Sequence, residues 1–88
     1  MEYPAPQLEI SSFLELMKSE KPVLVDFYAT WCEPCNYLDE ILTALEKRLG
    51  TKATIMKLDI DEQTELSQHF QIRSVPTLMI FKNGELKW

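Results

Sequence analysis

The sequence predicts an α/β fold: a central mixed sheet of parallel strands plus a C-terminal antiparallel hairpin, with helices on both faces. Three observations predict it. Helix-period and strand-period stretches alternate along the chain, which is the pattern of parallel strands with helices packed over them. Two strand-like runs are apolar on both faces, as expected of strands covered on both sides. Near the end, Asn83-Gly84 separates two short runs and is a strong signal for a two-residue hairpin turn.

Taken in order, residues 1–9 contain Pro4 and Pro6 and read as an extended lead-in. Ser12-Phe13-Leu14-Glu15 has the form of a capping box. It predicts a helix from Ser12 to about Ser19, with Phe13, Leu14, Leu16 and Met17 as its apolar face. Lys21-Pro22 ends it. Val23 to Ala29 is rich in β-branched and aromatic residues and reads as a central strand. Its one polar interruption is Asp26.

From Cys32 the period becomes helical, with Leu38, Ile41, Leu42, Leu45 and Leu49 as one stripe and Gly50 as the stop. Ala53 to Asp59 is a second strand, apolar apart from Lys57. Asp61 is placed to cap a short helix through Phe70, with Leu66 and Phe70 inward. Ile72 to Pro76 is a loop, and Thr77 to Lys82 a strand that the hairpin joins to Glu85-Leu86-Lys87-Trp88.

Composition narrows the function. A chain of 88 residues is expected to be one small domain, 1–88. A net charge of −5 argues against nucleic acid and anionic membranes as partners. The first residues, Met-Glu-Tyr-Pro-Ala-Pro, show no signal-peptide pattern, and no apolar run reaches membrane-spanning length. A soluble protein of a reducing compartment, the cytoplasm, is the expectation.

The two cysteines, Cys32 and Cys35, lie two residues apart where a strand-like run meets a helix-like one. In that setting C-x-x-C reads as a thiol–disulfide redox motif. One helical turn brings the two Cβ atoms within bonding range, so a disulfide can open and close without moving the backbone. Unpaired N–H groups and the positive end of the dipole at a helix start favour a thiolate. Cys32 is therefore the expected low-pKa, exposed nucleophile and Cys35, inside the helix, the resolving thiol. Pro34 fits a first helical turn and stiffens it.

Other chemistries fit less well. The cysteine pair and His69 supply three soft ligands, whereas a structural zinc site needs four. His69 reads as a surface residue. Asp59, Asp61, Glu62 and Glu65 lack the glycine and spacing of a calcium loop, so they read as capping and solvated groups. No cofactor is implied. Burial would raise the pKa of Asp26 and make it a proton acceptor near neutral pH; alternatively it is a structural carboxylate paired within the sheet. Lys57, on an apolar face, either pairs inside, with Asp26 the obvious partner, or extends its ammonium to water.

These residues resemble a thioredoxin. Val25-Asp26-Phe27-Tyr28-Ala29-Thr30-Trp31-Cys32-Glu33-Pro34-Cys35 is similar to the family's V-D-F-W-A-x-W-C-G-P-C. Lys57-Leu58-Asp59-Ile60-Asp61 resembles its K-(L/V)-(D/N)-x-D segment. Val75-Pro76-Thr77 and Phe81-Lys82-Asn83-Gly84 match its proline loop and hairpin. The resemblance is collinear from about Ser12 to Leu86.

It implies a thioredoxin-like fold and a protein disulfide reductase. Cys32 would attack a substrate disulfide, and Cys35 would resolve the mixed disulfide. Asp26 would assist proton transfer at Cys35, with Lys57 nearby. A cis Pro76 would face the cysteines, and the Val75 backbone would pair with an extended substrate segment. Trp31 would cover the site, with Glu33 and Pro34 also at the substrate surface. Protein disulfides would be the substrates and a thioredoxin reductase the electron donor.

The sequence departs from the family at several points. Glu33 replaces a glycine and puts negative charge beside the nucleophile, which disfavours the thiolate. Tyr28 replaces a tryptophan. Glu40 stands where the family often has a helix-kinking proline, so a straighter helix is expected. The family's terminal helix has no counterpart after the hairpin. Part of one sheet face would then lack cover, with self-association as the expected consequence. Two rival readings are a disulfide oxidase or isomerase, and a non-catalytic interaction module or fragment with this fold.

Overall fold

The computed structural model describes residues 7–88. The part of the extended lead-in that precedes Gln7, with Pro4 and Pro6, lies outside the described residues. The elements are α1 (Ile10–Leu16), β1 (Val23–Tyr28), α2 (Glu33–Leu49), a 3-10 turn (Gly50–Lys52), β2 (Thr54–Asp59), α3 (Thr64–His69), β3 (Thr77–Lys82) and β4 (Glu85–Leu86). The strands form one mixed sheet in the order β2-β1-β3-β4.

β1 and β2 are parallel, joined by the crossover through α2, whereas β3 is antiparallel to β1 and to β4. The parallel part of the sheet is thus confined to two strands. The chain never returns to the far end of the sheet after β2, so β3 starts beside the end of β1, with Thr77 opposite Phe27.

Alternation along β1 separates two layers. Val23, Val25 and Phe27 are at most 3% exposed and face a core built with Phe13, Met17, Leu58, Leu66 and Phe81. Four phenylalanine rings knit it together. Phe13 meets Phe70 and Phe81 edge-on at 5.4 and 5.8 Å, and Phe70 also meets Phe27 and Phe81 at 6.0 Å. The other face of β1 presents Leu24, Asp26 and Tyr28, alongside Ile55 and Lys57 of β2 and Leu78 and Ile80 of β3.

Several local expectations shift. α1 begins at Ile10, with Glu9 in the N-cap position and no side-chain cap. The Ser12–Glu15 capping box is therefore not used, because Phe13 and Met17, one turn apart, place their turn against the core. Leu14 and Leu16 point outward and stay 41% and 50% exposed. On α2 the inward stripe is Cys35, Leu38, Leu42, Leu45 and Leu49, and Ile41 lies outside it at 63% exposed. α2 runs unbroken through Glu40 and stops at Gly50, whose φ of 56° with ψ of −120° lies in positive-φ territory that glycine tolerates. Asn83 and Gly84 both have positive φ, 54° and 81°, as the hairpin signal requires.

α3 starts at Thr64 rather than after Asp61. The capping role in the preceding turn belongs to Asp59, whose Oδ1 accepts the Asp61 N–H at 2.8 Å. Leu66 is fully buried and Phe70 packs against the core, as the sequence predicts.

Candidate redox centre

β1 delivers the site and α2 begins it. After Tyr28, Ala29 is fully buried and the chain turns, with the Cys32 N–H donating to the Ala29 carbonyl at 3.2 Å. Cys32 takes the N-cap position of α2 in extended conformation, and Pro34 follows in the first turn. Cys35 lies one turn into the helix. The two sulfurs are joined as a disulfide with the Cα atoms 5.3 Å apart. Both cysteines are buried, at 5% and 3% exposed; Cys32 is not the exposed residue expected from sequence, because it packs in a cluster with Ala29, Tyr28, Ile60 and Val75.

The Cys35 backbone N–H donates to Cys32 Sγ at 3.2 Å. In the reduced state this N–H is one of the unpaired donors of a helix start, aimed at the sulfur that must carry charge. The Val75 carbonyl lies 3.7 Å from Cys32 Sγ. The Val75–Pro76 peptide bond is cis, and Val75 packs against the two cysteines. Glu33 and Pro34 are exposed on the first turn.

Trp31 is 68% exposed. Its indole N–H donates to Asp61 Oδ2 at 2.9 Å, which ties the ring to the loop after β2. That finding gives Asp61 a place in the site that sequence reading missed, since the two residues are 30 positions apart.

Beneath Cys35 lies a cleft of about 250 Å³ lined by Asp26, Tyr28, Thr30, Cys35, Asn36, Asp39 and Lys57. Asp26 is 1% exposed, and its Oδ1 has no hydrogen-bond partner. Burial raises its pKa above the ordinary aspartate value; the Lys57 charge opposes this and the Asp39 charge reinforces it. Tyr28 is likewise pushed up, first by burial and then by Asp59, Glu62, Asp26 and Asp39.

Lys57 is the register partner of Asp26 across β1 and β2. Of the two expected arrangements, the ammonium takes the outward one and forms its ion pair with Asp39 of α2. Asp39 is the second site residue missed from sequence. Its signal was present in the spacing, four residues beyond Cys35 and so on the same face of α2. His69 is exposed on α3 against the Phe70 ring, and no metal-binding cluster occurs among the described residues.

Comparison with known proteins agrees with this geometry. The Thioredoxin family model matches residues 6–87. A chloroplastic thioredoxin Y from Oryza sativa subsp. japonica is 50% identical over 82 residues, covering 92% of this chain and 49% of that protein. A thioredoxin from Rickettsia bellii is 49% identical over 73 residues, covering 83% of this chain and 70% of that protein. This chain therefore spans about half of the rice protein's length.

Among solved structures, oxidised mitochondrial thioredoxin 3 from Saccharomyces cerevisiae superposes with a TM-score of 0.82 at 30% identity, over 94% of this chain and 78% of that one. A Malassezia sympodialis thioredoxin gives 0.80 at 32% identity, over 98% and 79%. The chain belongs to the thioredoxin family of disulfide reductases, and its Cys32–Cys35 pair is the redox-active centre.

Proposed function

We propose that the chain reduces disulfides of extended protein segments, with Cys32 as nucleophile, Cys35 as resolving thiol and Asp26 as proton acceptor. One observation carries the reading: the Cys32–Cys35 pair sits at the start of α2, with the Cys35 N–H directed at Cys32 Sγ.

In the reduced protein the Cys32 thiolate attacks one sulfur of the substrate disulfide. The substrate S–S bond breaks, a Cys32–substrate disulfide forms, and the first substrate sulfur leaves as a thiolate that takes a proton from water. Asp26, ionised, accepts the Cys35 proton. The Cys35 thiolate then attacks Cys32 Sγ and releases the second substrate sulfur as a thiolate. Two electrons have passed from the dithiol to the substrate. Val75, whose carbonyl lies beside Cys32 Sγ, is placed to pair with substrate backbone by strand addition. Pro76, Trp31, Glu33 and Pro34 frame that approach, and Lys57 modulates Asp26.

A thioredoxin reductase in a reducing compartment, the cytoplasm, would regenerate the dithiol. No helix of the described residues is long and apolar enough to cross a membrane.

The direct test is insulin-disulfide reduction driven by dithiothreitol, comparing the chain with Cys32→Ser. Acceleration that the substitution abolishes is the expected result. A folded protein giving no acceleration would overturn the reductase reading.

A further inference from the structure

Lys57 forms its ion pair with Asp39 while Oδ1 of the buried Asp26 has no hydrogen-bond partner, although Asp26 and Lys57 are neighbours in register. On adjacent strands about 4.8 Å apart, their side chains rise on the same face of the sheet. A lysine there can reach either carboxylate. In this structure, with Cys32 and Cys35 oxidised, its ammonium is held by Asp39, while Asp26 Oδ1 has no hydrogen-bond partner. All three side chains and Cys35 line one cleft, and Asp39 stands one helical turn beyond Cys35 on α2.

We infer that Asp39 is a positioning residue for the resolving step: it competes with Asp26 for the Lys57 ammonium and thereby sets how readily Asp26 accepts the Cys35 proton. The inference deepens the proposed role of Asp26 and rests on it for its catalytic meaning.

Two electrostatic states follow. With Lys57 on Asp39, the Lys57 charge still opposes the effect of burial on Asp26, but burial is the larger influence and Asp39 reinforces it, so the protonated carboxyl is favoured. When Asp26 ionises, Lys57 gains a reason to turn inward, because an unpaired buried carboxylate is costly and an ammonium within reach relieves it. Asp39, half-exposed, is left to water at little expense, as surface ion pairs contribute little on their own. Proton uptake and release at Asp26 are thereby linked to a swing of one lysine between two acceptors. The other titratable groups at the cleft are Tyr28 on β1 and Cys35 on α2, with Asp59 and Glu62 acting on Tyr28 from the end of β2 and the loop after it.

The test is a titration of the Asp26 carboxyl by carbon-13 NMR in the oxidised protein, in four forms: unsubstituted, Asp39→Asn, Lys57→Met, and both. Asp39→Asn frees Lys57 for Asp26, so the Asp26 midpoint moves to lower pH. In the Lys57→Met background the same substitution removes only a fixed negative charge, and the movement is smaller. An unmoved or raised midpoint in Asp39→Asn overturns the inference. Equal movement in both backgrounds also overturns it, since Asp39 would then act without Lys57. Thermal melts of the four forms confirm that each is folded. The titration reads the coupling whether or not the chain turns over insulin, so its failure is separable from failure of the reductase reading.

Discussion

Replacing Asp26 by Asn should make the oxidised protein more stable at neutral and alkaline pH, by an amount that disappears in acid. Asp26 is 1% exposed and Oδ1 has no hydrogen-bond partner. A buried polar group left without a partner costs about 1–3 kcal/mol, more when charged. Asparagine keeps the shape and removes the charge, so a gain of about 1–3 kcal/mol is expected where the unfolded chain carries an ionised Asp26.

The sign follows from proton linkage. Burial lifts the folded-state pKa above the ordinary value of 3.8. Between the unfolded and folded values the native state holds the extra proton, so stability contributed at this position falls as pH rises. The advantage of Asn is therefore full above the folded pKa and shrinks as pH falls through it. Below the unfolded value it is gone, because both side chains are then neutral. Urea denaturation at several pH values reads this directly. In a melt, each kcal/mol corresponds to roughly 4–8 °C for a domain of this size. The same variant should lose disulfide reduction by about 10²-fold or more if Asp26 is the proton acceptor. A destabilised Asp26→Asn, or a stability difference that does not change with pH, would refute the argument.

Three further outcomes are expected. Thiol titration of the reduced protein should place the Cys32 pKa higher than in Glu33→Gly, because the exposed carboxylate on the first turn of α2 opposes a neighbouring thiolate. Asp61→Ala removes the acceptor of the Trp31 indole N–H; in a Trp88→Phe background, Trp31 fluorescence anisotropy should fall while the melt shifts by no more than about 1.5 kcal/mol. Phe13→Ala empties a fully buried ring site in contact with Phe70 and Phe81, at a cost of about 3–5 kcal/mol. With only about 5–15 kcal/mol in a typical domain, chemical denaturation should show a large loss, and a melt shifted by under 1 kcal/mol would contradict the packing.

Local physics determined much of this protein from sequence alone. The α/β alternation, the strand before the cysteines, the Asn83-Gly84 turn and the Cys32-x-x-Cys35 pair at a helix start all rest on periods and turn chemistry that act within a few residues. The resemblance at Asp26, Lys57 and Val75-Pro76 added residues that no local rule would group.

Tertiary structure decided the rest. α1 begins at Ile10 and leaves its capping box unused because burial of Phe13 and Met17 outweighs one cap. Ile41 faces out because the inward stripe of α2 is set by Cys35 and Leu42 meeting the sheet. β3 runs antiparallel to β1, joining it with Thr77 opposite Phe27, a pairing that the α/β alternation does not specify. Trp31 is held by Asp61, and Lys57 by Asp39 rather than by Asp26. Side chains this far apart in sequence find each other only once the sheet is built. Which of two carboxylates a lysine takes depends on their relative burial, a property of the folded cleft and not of any stretch of the chain.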